Sequence, residues 1–93
     1  MPAKLVGSWA SSPAKDVTIT LKLDERKGFA WRVGDHGQIV EVRGEATFDN
    51  STLYLTPPDQ PPMAGKVIWK DDTHFQFVAL GAPPEDPGLT FGR

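Results

Sequence analysis

The chain contains no cysteine, one tyrosine, two methionines and two histidines among 93 residues. The missing thiols exclude disulfide bridges and thiolate metal sites, so a fold of this size must be held by a core alone. Nowhere do eighteen apolar residues run together, which excludes a membrane-spanning helix. The opening stretch from Met1 to Gly7 lacks the continuous apolar segment of an export signal, so the chain reads as soluble and unexported. It begins and ends abruptly against predicted strands, an arrangement expected of a domain excised from a longer protein. Neither sign of charge dominates: ten basic and twelve acidic residues give a net charge of −2, and no electrostatic reason to bind nucleic acid or an anionic membrane follows. Apolar stripes at helical spacing are missing too, and nine prolines and nine glycines interrupt any helical window.

What is present is alternation with a period of two, the pattern of a strand with one face buried. Val17, Ile19, Leu21 and Leu23 alternate with Thr18, Thr20 and Lys22. Phe29, Trp31 and Val33 follow in phase, then Val40, Val42, Gly44, Ala46 and Phe48 on one face against Ile39, Glu41, Arg43, Glu45 and Thr47 on the other. Leu53 and Leu55, Val67 and Trp69, Phe75 with Phe77 and Ala79, and finally Leu89 and Phe91 continue the series. The first strand is expected over Leu5 to Ser11, with Leu5, Gly7 and Trp9 in phase.

The connections alternate in character. Asp24 to Gly28, Asp49 to Ser51 and Asp71 to Thr73 read as short polar turns gathered at one end with both termini. Ser11 to Lys15, Gly34 to Gly37, Pro57 to Ala64 and Gly81 to Gly88 read as longer loops at the other end. Their prolines, Pro57-Pro58 with Pro61-Pro62 and Pro83-Pro84 with Pro87, stiffen loops that cap the barrel more readily than they display a peptide motif. An antiparallel meander of about eight strands leaves two bare edges, and pairing the last strand with the first removes them. The expected fold is therefore all-β, one domain over residues 1–93, closed into a small up-and-down barrel. Trp9, Phe29, Trp31, Phe48, Trp69, Phe75, Phe77 and Phe91 point inward, enough bulk to fill so short a barrel; a ligand-sized cavity is the alternative.

Leu5-Val6-Gly7-Ser8-Trp9 resembles the Gly-x-Trp opening of lipocalins and the wider calycin group. The segments Lys27 to Trp31, Gly44 to Leu55 and Trp69 to Phe77 are similar to successive hairpins of small bacterial lipocalin-like domains. The resemblance implies a barrel and a capacity for small apolar molecules. It also matches Arg93, in phase after Leu89 and Phe91, to the basic residue that packs over the opening tryptophan; strand closure alone would set Arg93 nearer Leu5. The chain departs from a full lipocalin in being shorter and in lacking a segment that reads as the C-terminal helix.

Candidate sites follow from this layout. Ser12, Lys15, Asp35, His36, Gln60, Met63, Glu85 and Asp86 fall at the open end, where loops held by a rigid scaffold offer a shallow ligand site; Lys15, Asp35, His36, Gln60 and Met63 are its candidate binding residues. Tyr54, Ile68 and Val78 lie in the outward phase of three consecutive strands, with Leu80 and Ile39 in the neighbourhood, as an apolar strip suited to docking or self-association. Catalysis is not expected: the Asp35-His36 pair has no nucleophile, and His36 and His74 belong to opposite ends. No metal or cofactor is expected either, since Asp24-Glu25 and Asp71-Asp72 lack the spacing of a calcium loop. Two functions remain open, a non-catalytic structural or interaction module and a binder of a small apolar or aromatic molecule in the barrel mouth.

Overall fold

The computed structural model describes residues 2–93; Met1, the first residue of the expected domain, lies outside them. Eight strands follow one another as β1 (Gly7–Ala14), β2 (Val17–Leu23), β3 (Gly28–Asp35), β4 (Gln38–Asp49), β5 (Thr52–Thr56), β6 (Met63–Asp71), β7 (His74–Ala79) and β8 (Leu89–Gly92). Each pairs antiparallel with its sequence neighbour, and β8 closes on β1 through Ala10 and Gly92, giving a closed barrel with no helix among the described residues. The all-β meander expected from the alternation is what forms.

Register turns the alternation into layers. Gly7, Leu23, Phe29 and Gly44 lie side by side across β1 to β4, and Trp9, Leu21, Trp31 and Val42 form the next row. On the opposite wall Trp69, Phe75 and Phe91 align, as do Val67, Phe77 and Leu89. Trp9, Phe29, Phe75, Phe77 and Phe91 are buried, while Trp31, Phe48 and Trp69 are half-buried and pack against them. The interior is thus filled by rings: Trp9 meets Phe75 edge-on at 4.8 Å and Trp69 at 5.8 Å, and Phe75 stacks on Phe91 at 5.5 Å. Such pairs add about 0.5–1.5 kcal/mol each beyond area burial. Small residues make the room, for a Cβ on Gly65 would stand 2.6 Å from the Phe77 ring.

Three details depart from the expected boundaries. Leu5 belongs to no strand: its N–H bonds to Pro2 O at 3.0 Å in a turn, and its side chain plugs the barrel end at 1 % exposure. The extended run starts only at Gly7, whose φ of +132° redirects the chain. Secondly, the β1–β2 and β3–β4 connections are tight rather than long, because Asp16, His36 and Gly37 adopt positive φ and let Ser11–Ala14 and Gly34–Asp35 continue as strand. Thirdly, Val40 does not reach the core. Pairing of β4 with β5 begins only at Glu45, so among the described residues the first half of β4 pairs with β3 alone, and both Ile39 and Val40 are about 60 % exposed.

Candidate functional site

The two ends of the barrel differ in kind. At the end carrying the termini, the turn over residues 2–5 folds across the opening. Trp9 Nε1 donates to Leu5 O at 2.8 Å, and the Arg93 guanidinium lies 4.3 Å from the Trp9 ring while donating to Val6 O at 2.7 Å and Lys4 O at 3.1 Å. Lys4 in turn sets its ammonium 4.3 Å from the Trp69 ring. The site for Arg93 exists because residue 7 is glycine: a Cβ there would stand 2.7 Å from Arg93 Nη1. The expectation that strand closure would leave Arg93 nearer Leu5 is resolved by the length of the side chain, which spans both, bonding the carbonyls on either side of Leu5 and covering Trp9.

The same end carries the β6–β7 turn. Asp71 Oδ1 accepts the Thr73 N–H at 2.8 Å, the Thr73 hydroxyl at 3.0 Å and His74 Nδ1 at 3.0 Å. The backbone N–H of Thr73 and then the His74 side chain hold the Asp71 carboxyl down at about 2, below its ordinary 3.8. These bonds knit the turn.

At the opposite end the barrel is open on one side, where a cleft of about 470 Å³ enters between the β3 wall and the β6–β7–β8 wall. Trp31, Met63, Phe77 and Leu89 form its walls, with Leu80 and Asp86 at its rim. Trp31 and Phe77 stand 6.0 Å apart at a tilt of 53°. The rim loop is braced, since Asp86 Oδ1 accepts the Gly88 N–H at 2.8 Å and Gln76 Nε2 donates to Pro87 O at 3.3 Å. The volume falls within the range of about 300–1,000 Å³ occupied by small-molecule sites. A larger hollow, about 640 Å³, lies toward the end with the termini, bordered both by the outward row Lys22, Ala30 and Arg43 and by the inward row Gly7, Leu23, Phe29 and Gly44. Leu23 and Phe29 in its lining are 2 % and 5 % exposed, so little of the core is laid open there.

Of the five residues expected to bind at the open end, Met63 lines the cleft. Lys15 lies in the β1–β2 turn, Gln60 is exposed on the β5–β6 loop, and Asp35 and His36 sit at the β3–β4 turn. There His36 N–H bonds to Asp16 O at 3.1 Å, its Nδ1 contacts Asp35 Oδ1, and its Nε2 lies 4.0 Å from Asp16 Oδ2. The imidazole is flanked by two carboxylates on the surface and joins two neighbouring turns. Asp16 had no signal in the sequence because its contact with His36 depends on which hairpins are adjacent. Among the described residues, no group of three or more His, Cys, Asp or Glu side chains is disposed to hold a metal ion.

The outer strip is interrupted. Tyr54 faces Ala64 and Ile68 faces Gln76, whereas Val78 pairs with Lys66, which stands between them. Tyr54 and Ile68 are exposed by 40 % and 42 %, and Val78 is half-buried. Leu80 continues the Tyr54 row, its N–H bonding to Ala64 O at 3.0 Å, while Ile39 lies on the free half of β4, away from the strip. No helix of the described residues is long and apolar enough to cross a membrane.

Comparison with protein-family models, with curated proteins and with solved structures returns no match.

Proposed function

We propose that this chain is a lipocalin-like, non-catalytic barrel that holds a small apolar or aromatic molecule in its mouth. The observation that carries this reading is the asymmetry of the two ends: one is closed by the 2–5 turn, Trp9 and Arg93, and the other opens into a cleft walled by Trp31, Met63, Phe77 and Leu89. The lipocalin likeness draws support from the mutual fit of Gly7, Trp9 and Arg93, in which the guanidinium covers the indole and fills space that a Cβ on residue 7 would narrow. His36, a surface imidazole between the carboxylates of Asp35 and Asp16, is read as a joint between two turns.

Because aromatic rings fill the lower barrel, the ligand occupies the upper layer only, in contact with Trp31 and Phe77 and not with Trp9. Titration with a neutral aromatic probe such as phenylbutanol tests this. The indole N–H signal of Trp31 is expected to shift with saturation while that of Trp9, bonded to Leu5, stays in place. Absence of saturable binding at millimolar probe, with no rise in thermal stability, rejects the reading.

A second reading is favoured by the packed interior itself: a filled barrel serving as an interaction or spacing module, docking through the outer face of β5–β7 where Tyr54 and Ile68 are exposed. It predicts association that depends on Tyr54 and Ile68, and mass measurements across concentration that find only monomer remove its self-association form.

A further inference from the structure

The open end has a charge of its own. The four connections there and the residues beside them carry Asp16, Asp35, Asp59, Glu85 and Asp86 against Lys15 alone, so five of the chain's twelve acidic groups crowd the mouth with one of its ten basic groups. The remainder of the chain consequently has a net excess of positive charge. Within the cleft the asymmetry is complete: Asp86 is the one charged side chain of its lining. Its Oδ1 is engaged by the Gly88 N–H, which fixes the carboxylate, and among the described residues no donor bonds to Oδ2. Trp31 and Phe77 line the same cleft.

An apolar cleft bordered by one carboxylate, at a mouth rich in acidic residues and with no cation in its described lining, discriminates among ligands of one shape. A fatty acid or other organic anion meets repulsion from the rim, whereas a cation is attracted by it and by the quadrupoles of the two rings. Resting on the mouth-binding reading above, we infer that the ligand class is an organic cation: an aromatic or hydrocarbon body seated against Trp31, Met63 and Phe77, with an ammonium group held at the Asp86 carboxylate. The head group remains close to water at the rim, so the desolvation cost that opposes a buried ion pair is small. The same geometry makes the interaction sensitive to salt, because exposed charges are screened within roughly 10 Å at 0.1 M ionic strength.

Three probes that share one body separate this inference from the reading beneath it. Phenylbutyltrimethylammonium, phenylbutanol and phenylbutyrate are each titrated into the full chain by calorimetry, with the Trp31 indole N–H followed by NMR. The expected order is cation, then alcohol, then anion, with the cation about three- to tenfold tighter than the alcohol at low salt and the gap narrowing as salt rises. Asp86→Asn keeps an oxygen for the Gly88 N–H, so the loop is retained; it is expected to bring the cation to the affinity of the alcohol and leave the alcohol unchanged. Glu85→Gln, on the same loop, is expected to weaken the cation by less than twofold. Alcohol binding as tightly as the cation, phenylbutyrate binding most tightly, or Asp86→Asn leaving cation affinity intact each overturns the inference while the mouth site stands. Binding of none of the three removes the mouth site and the inference with it.

Discussion

Arg93, the final residue, lies over the ring of Trp9 at 4.3 Å and reaches past it to the carbonyls of Lys4 and Val6. One side chain thereby joins the last strand, the first strand and the turn that precedes it. Closing the barrel through backbone bonds alone involves only the short β1–β8 contact at Ala10 and Gly92, so the guanidinium supplements the weakest seam of the sheet.

Loss of that clamp is expected to be felt as destabilisation. Arg93→Gln removes a cation–π contact and two charge-assisted hydrogen bonds, for an expected cost of about 1–3 kcal/mol. Arg93→Lys is expected to recover less than half, since an ammonium does not present the planar fork that serves both carbonyls. Gly7→Ala is expected to match Arg93→Gln or exceed it, because the new methyl takes the space of Nη1 and the backbone sits at φ +132°. Urea denaturation of the three variants checks the order; an Arg93→Gln domain as stable as the parent would show the clamp to be incidental.

The tryptophan at the centre of the ring cluster is expected to matter more. Trp9→Ala empties a site that is 0 % exposed and removes edge contacts to Trp69 and Phe75, a change that costs about 3–5 kcal/mol in comparable cores. For a domain of this size that approaches the whole stability. Trp69→Ala, at a half-buried position, is expected to cost less than Trp9→Ala, and His36→Ala is expected to stay within about 0.5 kcal/mol of the parent. Melting curves rank the three.

The β6–β7 turn predicts a pH dependence. The Asp71 carboxyl ionises at about 2 in the folded chain against 3.8 ordinarily, so the ionised form is favoured by folding. Its contribution is complete above the unfolded value and is lost as pH falls from about 4 through about 2. Carboxyl carbon shifts are expected to show Asp71 titrating with a midpoint at about 2. Asp71→Asn is expected to flatten the fall in stability across that interval, and an Asp71 midpoint near 4 would contradict the bonding described.

The β4–β5 turn predicts a gain. Asn50 and Ser51 both have positive φ, 51° and 62°, the conformation of a two-residue type I′ turn. Asparagine suits the first position, but serine strains the second, where a side chain costs about 1 kcal/mol relative to glycine. Ser51→Gly is expected to raise the melting temperature by a few degrees without altering the barrel; a lower one would mean that the turn is held by something other than backbone preference.

The sequence carried the strands because period two reports which face of each strand is buried, and Ile19, Leu21 and Leu23 or Phe75 and Phe77 are legible at that level. It misjudged Val40 for a reason of the same kind. Alternation records phase and not whether a wall stands opposite, and β5 is too short to cover the start of β4. Leu5 was in phase yet off the strand, since a turn also brings an apolar side chain to the core. Of the mouth, only Met63 was legible as a binding candidate on its loop; Trp31 and Phe77 were read as core, which they also are, their upper edges becoming a wall only where the neighbouring strands end.

By itself, then, the sequence determined the number of strands, their antiparallel order and the inward set of side chains, because these depend on local alternation and turn chemistry. Tertiary structure decided how the end with the termini is sealed, that Arg93 serves Trp9 and the Leu5 turn together, and that Asp86 borders one cleft with two aromatic rings. These are relations between residues far apart in the chain, fixed by strand lengths and register, and no local pattern encodes them.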